Sequence, residues 1–312
     1  MTVTADSKIN GVTTAYTFNV EASINFIDGD ILYLTFPPET SLSTIACGST
    51  GLNLKSAPLC SSSQPNEIKV QLYFTSSLGA QKFSFSVNNI KNSASTKTTS
   101  AFTNIRATDK DGNEIQRLDT TGPTVTNTQP AIITGQLDQD DESTSAQTPY
   151  TITYVTKNKM SADPSFKIEY PDILTVPTSL STCQATYGPT LAMSCAVNTA
   201  QRTIIISKGA SGGLPGPIPE GSTIKIKIAP ITNPRIQYRP VASTPSLRLT
   251  SFFSESGLDY LYDQVSSGLQ PEFKCIFPCA TCTGQKSAVC TSCYTSESSV
   301  SEKYLYGTSC LA

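Results

Sequence analysis

Residues 12–118 match residues 140–265 of the same chain, and this self-match constrains the fold more than any other feature. Tyr16-Thr17-Phe18 stands against Tyr150-Thr151-Ile152, and Pro37 at the end of one apolar run against Pro171 at the end of another, both at an offset of 134 residues. Cys47 meets Cys183 and Cys60 meets Cys195 at offsets of 136 and 135, and Phe83–Ile90 meets Ile224–Ile231 at 141. At the starts, Thr2-Val3-Thr4 resembles Thr124-Val125-Thr126. A period near 120–145 residues is too long for a solenoid repeat and suits whole domains in tandem.

Within each copy the apolar residues alternate with polar ones: Tyr16, Phe18, Val20; Ile68, Val70, Leu72; Phe83, Phe85, Val87; Ile224, Ile226, Ile228. Period two is the signature of half-buried antiparallel strands, and several short ones between Ser, Gly, Pro and Asn turns predict a two-sheet sandwich. The expected fold is therefore all-β: two tandem immunoglobulin-like β-sandwich domains, 1–119 and 120–270, plus a small disulfide-rich module over 271–312. Residues 119–130, centred on Gly122-Pro123, read as an extended junction. The acidic stretch Gln136–Glu142 reads as a solvated loop inserted in the second copy, and Gly209–Gly221 as another surface loop.

Charge narrows the function classes. The chain has 22 basic and 24 acidic residues, a net charge of −2 and scattered cations, so it offers no nucleic-acid patch. It has no His, the commonest general base and metal ligand, and no Trp. Neither a signal peptide nor a run of about 18 apolar residues is present, so this segment predicts no membrane span. A cysteine-rich chain with no segment that reads as a signal peptide is expected to be a processed or truncated piece of a secreted precursor.

The ten cysteines fall into two pairs and one cluster. Cys47 with Cys60, and Cys183 with Cys195, each flank a Ser/Gly-rich loop at equivalent places in the two copies. Local pairing is the expected reading, and each bond contributes roughly 3 kcal/mol by loop-closure entropy. The second set is Cys275, Cys279, Cys282, Cys290, Cys293 and Cys310. Two Cys-x-x-Cys units raise a tetrahedral zinc site. The seven-residue gap between them is short for a zinc ribbon, however, and two more cysteines bracket the quartet. Three disulfides suit a segment with so little apolar core. Such cysteine usage belongs to an oxidising compartment, which places the chain outside the cell or on its surface.

The segment Cys279-Ala-Thr-Cys282, Cys290-Thr-Ser-Cys293, Tyr304-Leu305-Tyr306 and Cys310 resembles a furin-like or growth-factor-receptor cysteine-rich repeat, as strung out in surface proteins of ciliates and other protists. The upstream Tyr-Thr-Phe strand, Gly29-Asp30-Ile31 and Phe36-Pro37 look like the β-domains accompanying such repeats. The resemblance implies a secreted or surface location and a scaffold or adhesive role, and carries over no catalytic residue.

No other motif survives inspection. Asp109, Asp111, Asn113 and Glu114 surround Gly112 but lack the ligand spacing of an EF-hand, so a hairpin turn is the better reading. Asp138, Asp140, Asp141 and Glu142 read as a solvated acidic loop. Serines lack a His or a marked Lys partner, and Gly212-Gly213-Leu214-Pro215-Gly216 lacks the Lys-Ser/Thr of a phosphate loop. No catalytic residue, metal ligand or cofactor is expected. No Asn-x-Ser/Thr sequon occurs, and Ser93–Ser100 and Thr120–Thr128 are places for O-linked glycans.

Two functions follow. The first is a structural subunit of an extracellular filament, coat or surface array that self-associates through domain contacts and strand edges, with Thr2, Val3 and Thr4 as the assembly strand. The alternative is a ligand-binding ectodomain, an adhesin or receptor fragment recognising a protein or glycan through loops at the sandwich ends.

Overall fold

A computed structural model of the chain describes residues 1–118, 121–234 and 245–273. Beyond these it gives the backbone of four short strands, Cys279–Thr283, Val289–Cys293, Tyr304–Tyr306 and Ser309–Leu311. The described residues contain strands and turns and no helix, hence no helix that could cross a membrane. They form two compact units, Met1–Ala131 with Tyr260–Tyr262, and Ile132–Asp259 with Asp263–Ala312. Each is an all-β sandwich of antiparallel strands.

The first unit packs two sheets. One runs β4 (Ser41–Thr50), β7 (Ala80–Lys91), β2 (Thr13–Phe26), β1 (Thr2–Ala5); the other β9 (Glu114–Arg117), β8 (Thr103–Thr108), β3 (Ile31–Thr35), β6 (Glu67–Gln71), β5 (Leu59–Gln64). The alternation read from sequence sets which face is inward: Tyr16 and Phe18 of β2, Leu34 of β3, Ile68 and Val70 of β6, and Phe83, Phe85 and Val87 of β7 are all buried. The core is aromatic. Phe18 and Phe85 stack with centroids 5.0 Å apart, and Phe36 and Phe102 meet Phe18 edge-on at 5.9 and 5.6 Å.

The second unit repeats this order and adds one strand, β14, outside β13. Its first half is β14 (Thr190–Ala192), β13 (Thr182–Thr186), β17 (Thr223–Thr232), β11 (Gln147–Val155), β10 (Ala131–Gln139). Its second half is β19 (Leu258–Ser267), β18 (Arg248–Glu255), β12 (Ser165–Glu169), β16 (Thr203–Ser207), β15 (Ser194–Asn198). Here β10 and β19 are hydrogen-bonded neighbours, so the two halves join into one ten-stranded sheet. The inward side chains are aliphatic where the first unit has rings: Ile152, Ile168, Ile204, Ile206, Ile224, Ile226 and Ile228 are all fully buried.

Two sequence expectations change. Gln136–Glu142 is not an inserted loop, because Gln136–Gln139 pair with Tyr150–Thr153 of β11, with Gln139 opposite Tyr150 and Leu137 opposite Ile152. Leu137 turns to the half-buried side while Gln136 and Asp138 point to water, so an acidic strand with one apolar position satisfies both its faces. Thr124-Val125-Thr126 is not the counterpart of Thr2-Val3-Thr4. Ala5 lies opposite Tyr16 and Gln139 opposite Tyr150, which makes Gln136–Gln139 that counterpart. Val125 instead belongs to the first unit's core, where its N–H donates to Thr99 Oγ1 (3.0 Å) and its carbonyl accepts from Thr99 N (2.9 Å).

In the cysteine-rich segment, β20 (Cys279–Thr283) pairs with β21 (Val289–Cys293), and β22 (Tyr304–Tyr306) with β23 (Ser309–Leu311). The side chains of Cys275, Cys279, Cys282, Cys290, Cys293 and Cys310 lie outside the described residues.

Candidate binding surfaces

The geometry of each unit is fixed first at its staples. Cys47 on β4 is bonded to Cys60 on β5, and Cys183 on β13 to Cys195 on β15, with Cα–Cα distances of 5.3 and 6.0 Å. In the first unit the bond joins the edge strands of the two sheets, and in the second it joins β13, next to the edge strand β14, to β15 at the other end of the ten-stranded sheet, so each resists splaying of its sandwich. Replacing Cys183 and Cys195 together by Ser is expected to lower stability by about 2–4 kcal/mol. Urea unfolding of oxidised wild type against the variant measures this, and a loss under about 1 kcal/mol would refute the stapling role. A polar cleft of about 280 Å³ lies beside this bond, lined among others by Ser179, Ser181, Thr182 and Gln184.

A second device, missed in the sequence reading, recurs in both units. The Tyr16 hydroxyl donates to Asn92 Oδ1 (2.9 Å), and Asn92 Nδ2 donates to the carbonyls of Ser7 (2.8 Å) and Ile9 (2.9 Å). In the second unit the Tyr150 hydroxyl donates to Asn233 Oδ1 (2.7 Å), and Asn233 Nδ2 donates to the carbonyls of Asp141 (3.0 Å) and Ser143 (2.7 Å). Each asparagine thus ties the loop after the first strand to the core tyrosine. Burial pushes the Tyr16 phenol up to about 12 and the Tyr150 phenol up as well, so both stay protonated donors at any ordinary pH. The offset of 141 residues between the asparagines equals that of the strands preceding them, which is the signal that would have exposed them in the sequence. Tyr16→Phe removes one buried hydrogen bond and is expected to cost about 1 kcal/mol in thermal or urea unfolding. An unchanged midpoint would show that the hydroxyl contributes nothing.

The acidic candidates resolve into turn chemistry. Asp109 Oδ1 accepts from the N–H groups of Asp111 and Asn113 (2.9 Å each) and Oδ2 from Asn113 Nδ2 (2.8 Å), closing the β8–β9 hairpin. These hydrogen bonds, led by the Asn113 side chain, hold its carboxyl below the ordinary range. Asp140 meets Lys227 Nζ at 3.1 Å, and Asp141 Oδ1 accepts from Ser143 N (2.8 Å). Asp28 pairs with Lys55 and accepts from Phe74 N (2.6 Å). Among the described residues no three side chains of the His, Cys, Asp and Glu types converge as a metal ion would need.

Three surface features remain. Thr2-Val3-Thr4 lies on β1, which pairs with β2 along Asn19–Tyr16 and, among the described residues, has no strand on its other side. At one loop end of the first unit, Ile27, Leu52 and Leu78 are 51, 59 and 76 % exposed. Those loops meet: Phe26 and Ile27 lie against Gly79, Thr75 N donates to the Asn53 carbonyl (3.1 Å), and Ser84 N to the Leu52 carbonyl (3.3 Å). The third is an apolar cleft of about 60 Å³ between the edges of the two sheets, lined by Met1, Val20, Ala22, Ile105, Ala107 and Leu118 among others.

No family model matches the chain. No curated protein matches it. Solved structures that align with it include the collagen adhesin from S. aureus, 10 % identical over 84 % of this chain and 89 % of that one, TM-score 0.25. The C-terminal domain of the Streptococcus pyogenes antigen I/II-family protein AspA is 12 % identical over 85 and 97 % of the two chains, TM-score 0.29. The major pilin SpaD from Corynebacterium diphtheriae is 11 % identical over 80 and 65 %, TM-score 0.31. Superpositions this loose carry nothing about what the chain binds.

Proposed function

We propose that the chain is an extracellular or cell-surface binding ectodomain of the adhesin type, recognising another protein through the loop end of its first unit. The observation that carries this reading is the exposed apolar trio Ile27, Leu52 and Leu78 on loops held by a disulfide-stapled sandwich. Apolar side chains this exposed on adjoining loops fit a protein partner better than a glycan, whose hydroxyls want polar groups and stacking rings. The buried ionisable groups have structural work instead: Asp263 accepts from backbone and Asn158 donors, and Glu67 from Asn104. That pattern supports contact rather than chemistry.

The structural-subunit reading keeps one specific observation in its favour, the strand Thr2–Ala5 at the edge of its sheet among the described residues. The discriminating experiment is negative-stain imaging and sedimentation of the purified chain over a wide concentration range. Discrete particles that coat an extracellular-matrix protein surface, and lose that coating at least about tenfold in a Leu52→Ser/Leu78→Ser variant, support the adhesin reading. Ordered filaments, or coating unaffected by the double substitution, overturn it in favour of the subunit reading.

A further inference from the structure

The two units differ on the approach to the strand that carries the first cysteine of each staple. In the first unit Ser41 and Leu42 of β4 lie opposite Lys91 and Ile90 of β7, and only Ser43–Ile45 bulge before Ala46 meets Asn88. Asn89 ties that bulge down. Its Nδ2 donates to the Thr44 carbonyl (2.8 Å), and its own carbonyl accepts from Ser43 Oγ (2.9 Å). In the second unit Thr175 lies opposite Thr232 and Thr182 opposite Ala229, so residues 176–181 stand against Pro230 and Ile231 alone. Pro230 takes the place of Asn89 at the offset of 141 residues, and it has neither a backbone N–H nor a side-chain amide to give. The longer segment therefore arches away from β17, with Ser181 Oγ on the Ala229 carbonyl (3.4 Å) at its foot.

The arch lines the cleft of about 280 Å³ beside the Cys183–Cys195 bond. The apolar part of the lining is the disulfide, Leu180 and the buried Met193, whose N–H donates to the Cys183 carbonyl (2.8 Å). The polar part includes the hydroxyls of Thr178, Ser179 and Thr182 and the amide of Gln184. Among the described residues these four side chains make no hydrogen bond within the chain, although Thr182 and Gln184 are half-buried. Among the described residues no charged side chain lines the cleft.

This lining selects its ligand. An ion would lose water here without gaining an opposite charge, and an apolar molecule would strip water from hydroxyls and an amide without replacing it. Hydroxyl and amide groups both donate and accept, and the hydroxyls of a neutral molecule answer them in kind. An extended peptide would need a row of open backbone groups, and the Cys183 carbonyl is already taken by Met193 N. A volume of about 280 Å³ is at the lower bound of small-molecule sites, which suits one ring rather than a length of chain. We propose that the cleft binds one neutral sugar unit of a glycan, its hydroxyls meeting Thr178, Ser179, Thr182 and Gln184 and its C–H face lying on Met193 and the disulfide. The site is separate from the Ile27, Leu52 and Leu78 loop end, so its failure and the failure of the adhesin reading are distinguishable.

The test is an NMR titration of the whole 312-residue chain, isotope-labelled, with the methyl glycosides of glucose, galactose, mannose and N-acetylglucosamine. Saturable binding of at least one is expected, with a Kd on the order of 1 mM. Amide shifts are expected at residues 178–184 and 192–195 and not at Ser41–Cys47, the tied-down counterpart. Thr182→Val/Gln184→Leu removes two of the polar partners and is expected to weaken binding at least about tenfold, with an unchanged urea midpoint as the check on folding. Ser179→Phe, at an exposed position, fills the cleft from the arch and is expected to lose binding by a similar factor. The Leu52→Ser/Leu78→Ser chain is expected to bind as wild type does. No saturable shift with any of the four glycosides, shifts elsewhere than the cleft, or binding unchanged in both cleft variants each overturns the proposal. So does a cleft that takes N-acetylglycine methylamide or inorganic phosphate in preference to every glycoside.

Discussion

Phe18→Ala lowers the stability of the first unit by about 3–5 kcal/mol in urea unfolding followed by circular dichroism or tyrosine fluorescence. The magnitude follows from the packing. Phe18 is fully buried at the centre of the aromatic core, stacked on Phe85 and met edge-on by Phe36 and Phe102. Removing the ring forfeits its transfer energy and leaves a cavity whose walls are themselves rigid rings on strands locked in register, so little collapse can repair it. The second unit supplies the control. Ile152 holds the equivalent place there among other isoleucines, which makes Phe18→Ile the milder change. Its loss should be distinctly smaller, because part of the volume is retained. A loss below about 1 kcal/mol for Phe18→Ala would mean that the core refills, and would overturn the account of a rigid aromatic centre.

Asp263→Ala has the next largest effect, about 3 kcal/mol. Asp263 on β19 is buried, and its Oδ2 accepts from the N–H groups of Lys157 (2.9 Å) and Asn158 (3.3 Å) while Oδ1 accepts from Asn158 Nδ2 (2.7 Å). These bonds hold the turn after β11 to the opposite half of the second unit. Alanine leaves three donors without their acceptor, at about 1–3 kcal/mol each, offset in part by relief of the buried charge. Burial pushes the Asp263 carboxyl above its ordinary value, against the pull of the Asn158 and Lys157 hydrogen bonds. A carboxyl raised on folding contributes its stability in full below the unfolded pKa of about 3.9 and loses it as pH rises through the folded value. Asp263→Asn keeps a carbonyl acceptor and no longer titrates. Its stability relative to wild type should therefore improve as pH rises from about 4 toward 7, and a flat difference over that range would show that the charge is not penalised by burial.

How far the sequence reaches is visible in single residues. Alternation placed Tyr16, Phe18, Phe83, Phe85, Ile224 and Ile226 on inward faces, since a pleated strand has only two sides and water selects between them. Gly112 beside Asp109 and Asn113 announced the β8–β9 hairpin, because that turn needs a residue free to take φ of +94°. Gln136–Gln139 misled. An acidic composition reads as loop, yet one half-buried leucine and a waiting strand edge suffice for pairing, and the edge belongs to β11 rather than to the segment itself. Thr124-Val125-Thr126 misled for a related reason: three strand-forming residues carry no record of their partner, and the partner proved to be Thr99.

The surfaces offered for binding were the least legible. Leu52 and Leu78 are ordinary leucines in the sequence and become a surface feature only because neighbouring loops leave them uncovered. The asparagine ties of Asn92 and Asn233 span 76 and 83 residues to their tyrosines, a separation no local pattern encodes.

By itself the sequence determined the all-β class, the inward faces of the strands and the parallel placement of the cysteine pairs, because these depend on periodicity and spacing along one chain. The tertiary structure alone decided which edges meet. Whether β10 touches β19 while β1 stands apart from β9 is a matter of backbone groups that every residue carries alike, so side-chain identity could not reveal it. That one join makes the second unit's two halves a single ten-stranded sheet.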